Sequence, residues 1–379
     1  MNPAIQIDII PSPSIETTGK LWEIVQLNSR QSVFTSWLWI SAWLETDTKD
    51  NKILLIATID QKPVGLAIWT HIERFARHQY WLHKSGDGLN DQIWIEYNDF
   101  LIQHEYGDQI REKMWQTWFM RTPRNSKYFV GASLSEAFTD PRKFARFEHL
   151  TWAAPTYLVP LQNASEASAA PDDQRLLRLM SANTRSQLKR SMQYFKTEYG
   201  ELTLRFAPPA AATTLFDQAA AWHNDRWGGD GTNGFNNPAF VAFHHRLISC
   251  GASTGMADVV ELLAGERTLG VFYNFIWQDK AYFYLSSLNY QDSNHARPGL
   301  VGHFLLGRHY LATGRLSYDL LGGGGYKARF SVPGAELQAR VFHGAGWVNS
   351  MEAQMQTFKG LVASFQQRLG VLRLRRLDH

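Results

Sequence analysis

The chain has 379 residues, a length that predicts two domains, each large enough for its own core. Its 38 basic and 35 acidic residues give a net charge of +3, which is too balanced to support DNA binding by charge alone. The single cysteine, Cys250, excludes an internal disulfide and indicates a reducing compartment.

The N-terminus and the hydropathy of the chain bear on where it resides. No apolar run reaches the roughly 18 residues that a membrane-spanning helix requires. The first residues lack the basic start and the long apolar core of a signal peptide. We therefore expect a cytoplasmic protein without a transmembrane segment.

The first half begins with residues 20–45, which predict helical segments whose tryptophans form a core face. Apolar runs at 52–59 and 64–69 flank a short polar turn and predict a β-hairpin. Residues 92–103 predict a strand, a loop and a second strand, and residues 109–120 predict an amphipathic helix.

A stretch rich in alanine and serine, residues 162–173, predicts a linker. We accordingly divide the chain into an N-terminal domain, residues 1–165, and a C-terminal domain, residues 166–379. Residues 174–199 predict a basic helix. A coenzyme phosphate, a tRNA or plain solvent could face its charges, and solvent is the favoured interpretation because charged helix faces are usually solvated.

Two helices are predicted next, at residues 214–227 and 238–249, before a three-stranded antiparallel meander over residues 258–287. A helix over residues 299–313 follows and stops at a glycine. A last strand at 316–321 then runs into four consecutive glycines. The hairpin at 258–277 repeats the hairpin of the first half, which favours two copies of one fold.

The turn before the predicted helix at 299–313 has the character of a phosphate site. A helix N-terminus presents unpaired N–H groups and partial positive charge, which suit an anion. Pro298 fits the first helical turn, and Gly299 and Gly302 would let a ligand approach the backbone. We predict that a pyrophosphate binds residues 297–303, and that Gly302→Trp abolishes coenzyme binding with the fold intact.

This order of elements resembles the GNAT superfamily of acyltransferases, and within it the CelD-like acetyltransferases associated with cellulose biosynthesis, which are related to FemAB-type transferases. The matching residues are His223-x-x-Arg226-Trp227, Gly234-Phe235, Phe243-His244, Pro298-Gly299 and Asp319-Leu-Leu-Gly322-x-x-x-Tyr326-Lys327, with a softer match at Tyr97-Asn98-Asp99. In the pyrophosphate signature of the superfamily, Arg297 and Gly302 fit, whereas Leu300 replaces the middle glycine.

The resemblance implies a mixed α/β fold of tandem GNAT-like domains, each a twisted mixed β-sheet flanked by helices. The second domain would bind the coenzyme, and the first would be degenerate and shape the acceptor cleft. The coenzyme-binding candidates are Leu285, Ser287, Arg297, Gly299, Val301 and Gly302. The catalytic candidates are Asp319, His223, Tyr326 and Lys327. The acceptor-binding candidates are Trp227, Tyr284, Gly323 and Gly324.

Acyl transfer to an amine needs a proton acceptor for the nucleophile and a proton donor for the leaving thiolate. Asp319 and His223 are the candidate bases. A mid-strand carboxylate is costly unless it is used or paired, so catalysis and pairing with Lys327 remain equally open for Asp319. Tyr284 and Tyr326 are the candidate acids.

The function expected from the resemblance is N-acyl transfer from acetyl-CoA or another acyl-CoA to an amine of a small molecule or glycan precursor. A FemAB-like transferase that uses aminoacyl-tRNA is the first alternative, and the near-neutral charge disfavours it. A non-catalytic precursor-binding protein is the second. No spacing of histidine and carboxylate resembles a zinc-ligand set, so we expect no metal.

Overall fold

The computed structural model describes residues 4–347 and Asn349, apart from residues 30, 75–76, 162–171, 228–232, 291 and 348. Most of the predicted linker at 162–173 lies outside these residues, as does the glycine-rich stretch after residue 227. The division of the chain at residue 165 therefore stays a prediction.

The strands in the described residues share one sheet. They are β1 (Ile5–Pro11), β2 (Lys52–Ile59), β3 (Lys62–Arg74), β4 (Arg77–Leu82), β5 (Leu101–Ile102), β6 (Ser126–Ser133), β7 (Phe147–Pro160), β8 (Leu202–Phe206), β9 (Ala257–Ala264), β10 (Arg267–Trp277), β11 (Lys280–Leu288), β12 (Ser317–Gly322) and β13 (Val332–His343). Both predicted hairpins, the meander and the last predicted strand are among them.

The helices pack on this sheet. They are α1 (Ile15–Gln26), α2 (Trp37–Thr46), α3 (Gly107–Arg121), α4 (Thr139–Phe144), α5 (Asp172–Arg178), α6 (Ala182–Tyr199), α7 (Pro209–Trp227), α8 (Pro238–Ser253) and α9 (Pro298–Ala312). The predicted basic helix is two helices, α5 and α6, because Ser181 caps α6 by accepting a hydrogen bond from the backbone N–H of Thr184. No helix in the described ranges has the length and apolar character needed to cross a membrane.

The strand order is β1-β2-β3-β4-β6-β13-β7-β12-β11-β10-β9-β8, and β5 pairs with β3. The predicted mixed α/β fold, a mixed sheet flanked by helices, is confirmed. The two sheets expected from the sequence are nevertheless not separate, and this part of the expectation is corrected. Strand β13, from the end of the described chain, lies between β6 and β7 and pairs antiparallel with both, so the halves form one continuous sheet.

The halves also share a hydrophobic core. Trp39 of α2 is fully buried, and its ring centroid lies 4.9 Å from that of Phe243 in α8 and 5.8 Å from that of Phe275 in β10. Trp22 and Trp43 are buried in the same cluster, as the sequence predicted. The tryptophans of the first half therefore help to hold the helices of the second half on the sheet.

Residues 92–100 are not the strand expected there, because only Leu101–Ile102 pairs with the sheet. Trp94 and Tyr97 have φ angles of 46° and 49°, in a left-handed region that non-glycine residues rarely adopt. This loop is held against the second half, where the hydroxyl of Tyr284 donates a hydrogen bond of 2.5 Å to the carbonyl of Ile93. It forms one wall of the site described next.

Candidate active site

The two neighbouring parallel strands β11 and β12 separate in the middle of the second half. Their register covers only three pairs, from Lys280 opposite Ser317 to Tyr282 opposite Asp319. Beyond this point the register of β12 shifts, and Leu321 adopts a φ of 62°. The left-handed residue turns β12 away from β11, so the backbone of β11 after Tyr282 does not pair with β12 in the described chain.

A cavity of about 710 Å³ opens where these strands part. Its walls come from β11, α7, the start of α9 and the turn after β12. It is lined by Trp94, Trp222, His223, Arg226, Asn233, Phe283, Tyr284, Leu285, Ser286, Ser287, Leu288, Tyr290, Ala296, Arg297, Pro298, Gly299, Leu300, His303, Gly322, Gly324, Tyr326, Lys327, Arg329 and Phe330. This volume is in the usual range for small-molecule sites.

The N-terminus of α9 forms one end of the cavity. Pro298 occupies the first helical turn, and the first backbone bond is donated by Val301 to the carbonyl of Arg297 at 3.1 Å. The amides of Gly299 and Leu300 precede that bond, and both residues line the cavity. Their N–H groups and the partial positive charge of the helix end suit an anionic ligand.

The charged residues of the wall have one sign. Arg226, Arg297, Lys327 and Arg329 line the cavity, and no carboxylate is among its described lining residues. Low-dielectric walls with charges of one sign concentrate ligands of the opposite charge. The cavity is therefore suited to an anion such as a phosphate.

His223 of α7 lines the cavity beside Asn233. Its Nδ1 lies 2.9 Å from Asn233 Oδ1, which also accepts the backbone N–H of Phe235 at 3.1 Å. Because this oxygen can only accept, His223 must carry its proton on Nδ1, which leaves Nε2 with a free lone pair. Burial lowers the pKa of His223, so the ring is neutral and Nε2 can act as a proton acceptor.

Lys327 also lines the cavity and lies in the short turn that follows β12. Its Nζ donates to the carbonyls of Leu320 at 2.6 Å and Gly322 at 2.8 Å. Burial lowers the pKa of Lys327, which makes the ammonium a better proton donor than an exposed lysine. The neighbouring Tyr326 also lines the cavity, and partial burial raises its pKa to about 12, so its hydroxyl stays protonated.

Asp319 is not among the cavity-lining residues. Its Oδ2 accepts a hydrogen bond of 2.8 Å from the Tyr97 hydroxyl, and its Oδ1 accepts the backbone N–H of Leu321 at 2.8 Å. The expected pairing with Lys327 is wrong, because Lys327 bonds to backbone carbonyls instead. These contacts give Asp319 a structural place between the two halves of the chain.

The predicted coenzyme residues fall into two groups. Leu285, Ser287, Arg297 and Gly299 line the cavity. Val301 is fully buried in the core, and a Cβ on Gly302 would lie 2.1 Å from Cζ of Phe272. The expectation that Gly302→Trp leaves the fold intact is therefore corrected, since even a methyl group has no room there.

Two of the predicted acceptor residues, Tyr284 and Gly324, line the cavity, whereas Gly323 is not among its lining residues. The hydroxyl of Tyr284 lies 3.0 Å from Nε2 of the buried His244 and donates to the first half, so it is already engaged. The side chain of Trp227 lies outside the described part of the structure.

The sequence interpretation missed two polar residues that the fold brings to the site. Asn233, which fixes the His223 tautomer, stands in the polar stretch Thr-Asn-Gly, where an asparagine cap could have been suspected. Glu96 belongs to the wall loop that was predicted to contain a strand, and its Oε2 accepts the backbone N–H of Gly322 at 2.8 Å. Burial raises the pKa of Glu96 to about 7.

One group of possible metal ligands occurs in the described residues, away from this cavity. His71, Glu73 and His78 each offer an atom within 4.8 Å of the others on the hairpin of β3 and β4. Nε2 of His71 is hydrogen-bonded to Nδ1 of His78 at 3.0 Å. The spacing gave no signal because the register of the hairpin, which pairs Glu73 with His78, brings these residues together.

Residues 182–328 match the family model described as an acetyltransferase (GNAT) domain. Among solved structures, FemX is similar in fold, with a TM-score of 0.56 at 8% identity over 87% of this chain and 96% of FemX. A conserved protein of unknown function from Bacteroides thetaiotaomicron has a TM-score of 0.52 at 9% identity, covering 89% of this chain and 100% of its own.

The C-terminal domain of an Agrobacterium fabrum protein described as a lysylphosphatidylglycerol synthetase also has a TM-score of 0.52 at 9% identity, over 91% of this chain and 96% of that domain. At these identities the likeness concerns the fold. None of the curated proteins matches the sequence significantly. The family match covers every element around the cavity except the loop from the first half and the last lining residues, so the cavity belongs to a domain that matches the GNAT acetyltransferase model.

Proposed function

We propose that the chain transfers an acyl group from an acyl-CoA, such as acetyl-CoA, directly to an amine. The observation that carries this proposal is the cavity between the separated strands β11 and β12, closed at one end by the N-terminus of α9, inside the matched domain. The separation exposes backbone on one side of the cavity, and the helix end supplies an anion site on another. An acyl-CoA requires both features, because its amide-containing arm needs backbone partners and its phosphates need an anion site.

The donor would be held along its length. Its pyrophosphate would lie against the amides of Gly299 and Leu300, with the guanidinium of Arg297 beside them. The amide groups of its pantetheine arm would pair with the edge of β11 that faces away from β10, in the stretch that contains Leu285 and Ser287. The thioester would then lie in the gap between the strands.

Transfer would proceed in one chemical sequence without a covalent enzyme intermediate. Nε2 of His223 takes a proton from the acceptor ammonium, and the freed lone pair forms the C–N bond at the thioester carbonyl. The C–S bond breaks with its electron pair on sulfur, and the thiolate takes a proton from Lys327. The neutral lysine then takes the second proton from the new amide nitrogen.

The acceptor would enter past the aromatic side chains of Trp94, Trp222 and Tyr290, which line the cavity. Flat aromatic surfaces favour a ring with apolar faces, such as an amino sugar of a glycan or cell-envelope precursor. The resemblance to the CelD-like acetyltransferases supports this class of acceptor. We place the reaction in the cytoplasm, where acyl-CoA is available.

Calorimetry of acetyl-CoA with the full chain tests the donor. We expect about one site per chain, and desulfo-coenzyme A should compete because it retains the phosphates. Absence of binding at millimolar concentrations would refute the proposed donor. Turnover is then measured as release of free thiol with a panel of amino sugars.

An aminoacyl-tRNA donor is the second candidate. The FemAB-type transferases that the sequence resembles use this donor, and the fold is similar to that of FemX. The basic helix α6 runs beside the cavity, where Gln187 accepts a hydrogen bond from Arg329 and Ser191 Oγ accepts the backbone N–H of Arg297 at 3.0 Å. Binding of aminoacyl-tRNA without binding of acetyl-CoA would favour this candidate.

A further inference from the structure

One glycine in the cavity wall, Gly322, is held through both of its backbone polar groups by charged side chains. The N–H of Gly322 donates to Oε2 of Glu96 at 2.8 Å, and its carbonyl accepts from Nζ of Lys327 at 2.8 Å. Glu96 comes from the first half of the chain, whereas Lys327 follows β12 in the second. Gly322 thus links an acid and a base that lie more than 200 positions apart.

Gly322 lies where β12 turns away from β11. Leu321 has a φ of 62°, a conformation that is unfavourable for a side chain of its type, so neighbouring contacts must hold it. Lys327 holds this turn through the carbonyls of Leu320 and Gly322, and Glu96 holds it through the N–H of Gly322. The shape of the cavity therefore depends on both residues.

We propose that Glu96 is a positioning residue for Lys327: its carboxylate fixes the backbone of Gly322 and keeps the Lys327 ammonium charged for protonation of the leaving thiolate. This inference rests on the proposed function for the role of the thiolate. It also makes the first half of the chain a necessary part of the active site, rather than only a wall for the acceptor.

The charge environment of Lys327 supports this role. Burial lowers the pKa of Lys327, and the negative charges of Glu96 and Asp319 oppose that effect. Asp319 is already engaged with Tyr97 and with a backbone amide, whereas Oε1 of Glu96 receives no hydrogen bond from the described residues.

The groups on the other elements around Lys327 do not supply a negative charge. On α9, His303 is buried, and burial together with Lys327 lowers its pKa to about 3, so it is neutral. On β11, the ring of Phe283 lies 5.8 Å from Nζ. Glu96 is therefore the carboxylate best able to respond to a change in the charge of Lys327.

If the role of Glu96 were purely structural, only its hydrogen bond to Gly322 would matter, and its charge would not. Glu96→Gln separates the two roles, because the amide oxygen still accepts the N–H of Gly322 while the charge is lost. Asp99→Asn is the matched control. It removes a carboxylate from the same loop region, but one that pairs with Arg111 at 2.6 Å.

The first measurement is the pKa of Lys327, by NMR of 13C-labelled lysine assigned with Lys327→Arg. We expect Glu96→Gln to lower it by about one unit and Asp99→Asn to leave it unchanged, because an opposite charge favours the charged form. An unchanged Lys327 pKa in folded Glu96→Gln overturns the proposal. This pKa measurement does not require turnover, so it tests the role of Glu96 whether or not acetyl-CoA is the donor.

If Glu96→Gln does not fold, the wild-type titration decides. The Lys327 resonance should show a second inflection near pH 7 from the titration of Glu96, and its absence overturns the proposal.

With acetyl-CoA, Glu96→Gln should lower kcat about tenfold at pH 8 and move the alkaline limb of the rate to lower pH, with the donor KM unchanged. Glu96→Asp should restore the limb in part. Lack of turnover in the wild type would instead refute the proposed function.

Discussion

Gly302→Ala should destabilise the fold, although alanine normally stabilises a helix interior. The added Cβ would lie 2.1 Å from Cζ of Phe272, whereas carbon atoms in contact are normally at least ~3.5 Å apart. Phe272 of β10 is fully buried, so its ring or the helix must move. Overpacking of this kind costs about 1–3 kcal/mol, and the gain in helix propensity is about 1 kcal/mol.

Because the overlap is severe, we expect a net loss of about 2 kcal/mol of unfolding free energy, measured by urea denaturation with tryptophan fluorescence. Gly307→Ala is the matched control on the same helix. Its Cβ would meet the end of the Leu176 side chain, with the two methyl carbons at 3.3 Å and 3.4 Å, so this variant should be neutral or more stable than the wild type. Equal denaturation midpoints for the two variants would refute the packing argument.

Three further predictions concern the site. Arg297→Ala should weaken acetyl-CoA binding on the order of tenfold by calorimetry, because a charged contact to phosphate is lost. Arg308→Ala is the control, because Arg308 lies on α9 and pairs with Asp173 of α5 at 2.7 Å, so this variant should bind acetyl-CoA as tightly as the wild type. Equal affinities of the two variants would exclude the phosphate contact. His223→Gln should lower the single-turnover rate about a hundredfold. Since burial lowers the pKa of His223, the acidic limb of the wild-type rate should lie below the ordinary histidine pKa of 6.5, and an acidic limb above that pH would contradict its role as the base. Asp319→Ala should lower the unfolding free energy by about 2 kcal/mol, with activity lost only as folded protein is lost; an unchanged melting temperature would exclude the structural role.

The second half of the chain shows which elements a local sequence pattern can predict. The strands β9, β10 and β11 were predictable because aromatic and β-branched runs alternate with short polar turns. Pro298 and Gly314 indicated both ends of α9. These signals arise within about 15 residues of chain.

Strands β7 and β13 gave no comparable signal. Each contains at least one proline, and their alternation of apolar and polar residues is interrupted. Their pairing is set by partners far away in the sequence, which no local pattern can reveal. The expectation of separate sheets was wrong for this reason.

The same limit applies to the site. Lys327 and Tyr326 were found through a motif, because both stand in one short stretch of chain. The place of Asp319 depends on Tyr97, and that of Glu96 on Gly322, each from the other half. A single carboxylate in a loop carries no sign of the backbone amide that it will meet after folding.

The central position of β13 has a consequence for biosynthesis. Until residues 332–343 have left the ribosome, the facing edges of β6 and β7 have no strand between them, because β13 supplies the hydrogen bonds for both. Unpaired strand edges invite association with other chains, and pairings between distant residues form slowly. Residues 332–343 must therefore be synthesised before β6 and β7 can be joined within one sheet. A chain truncated before residue 332 would have two open edges, and we expect that product to depend on chaperones or be degraded.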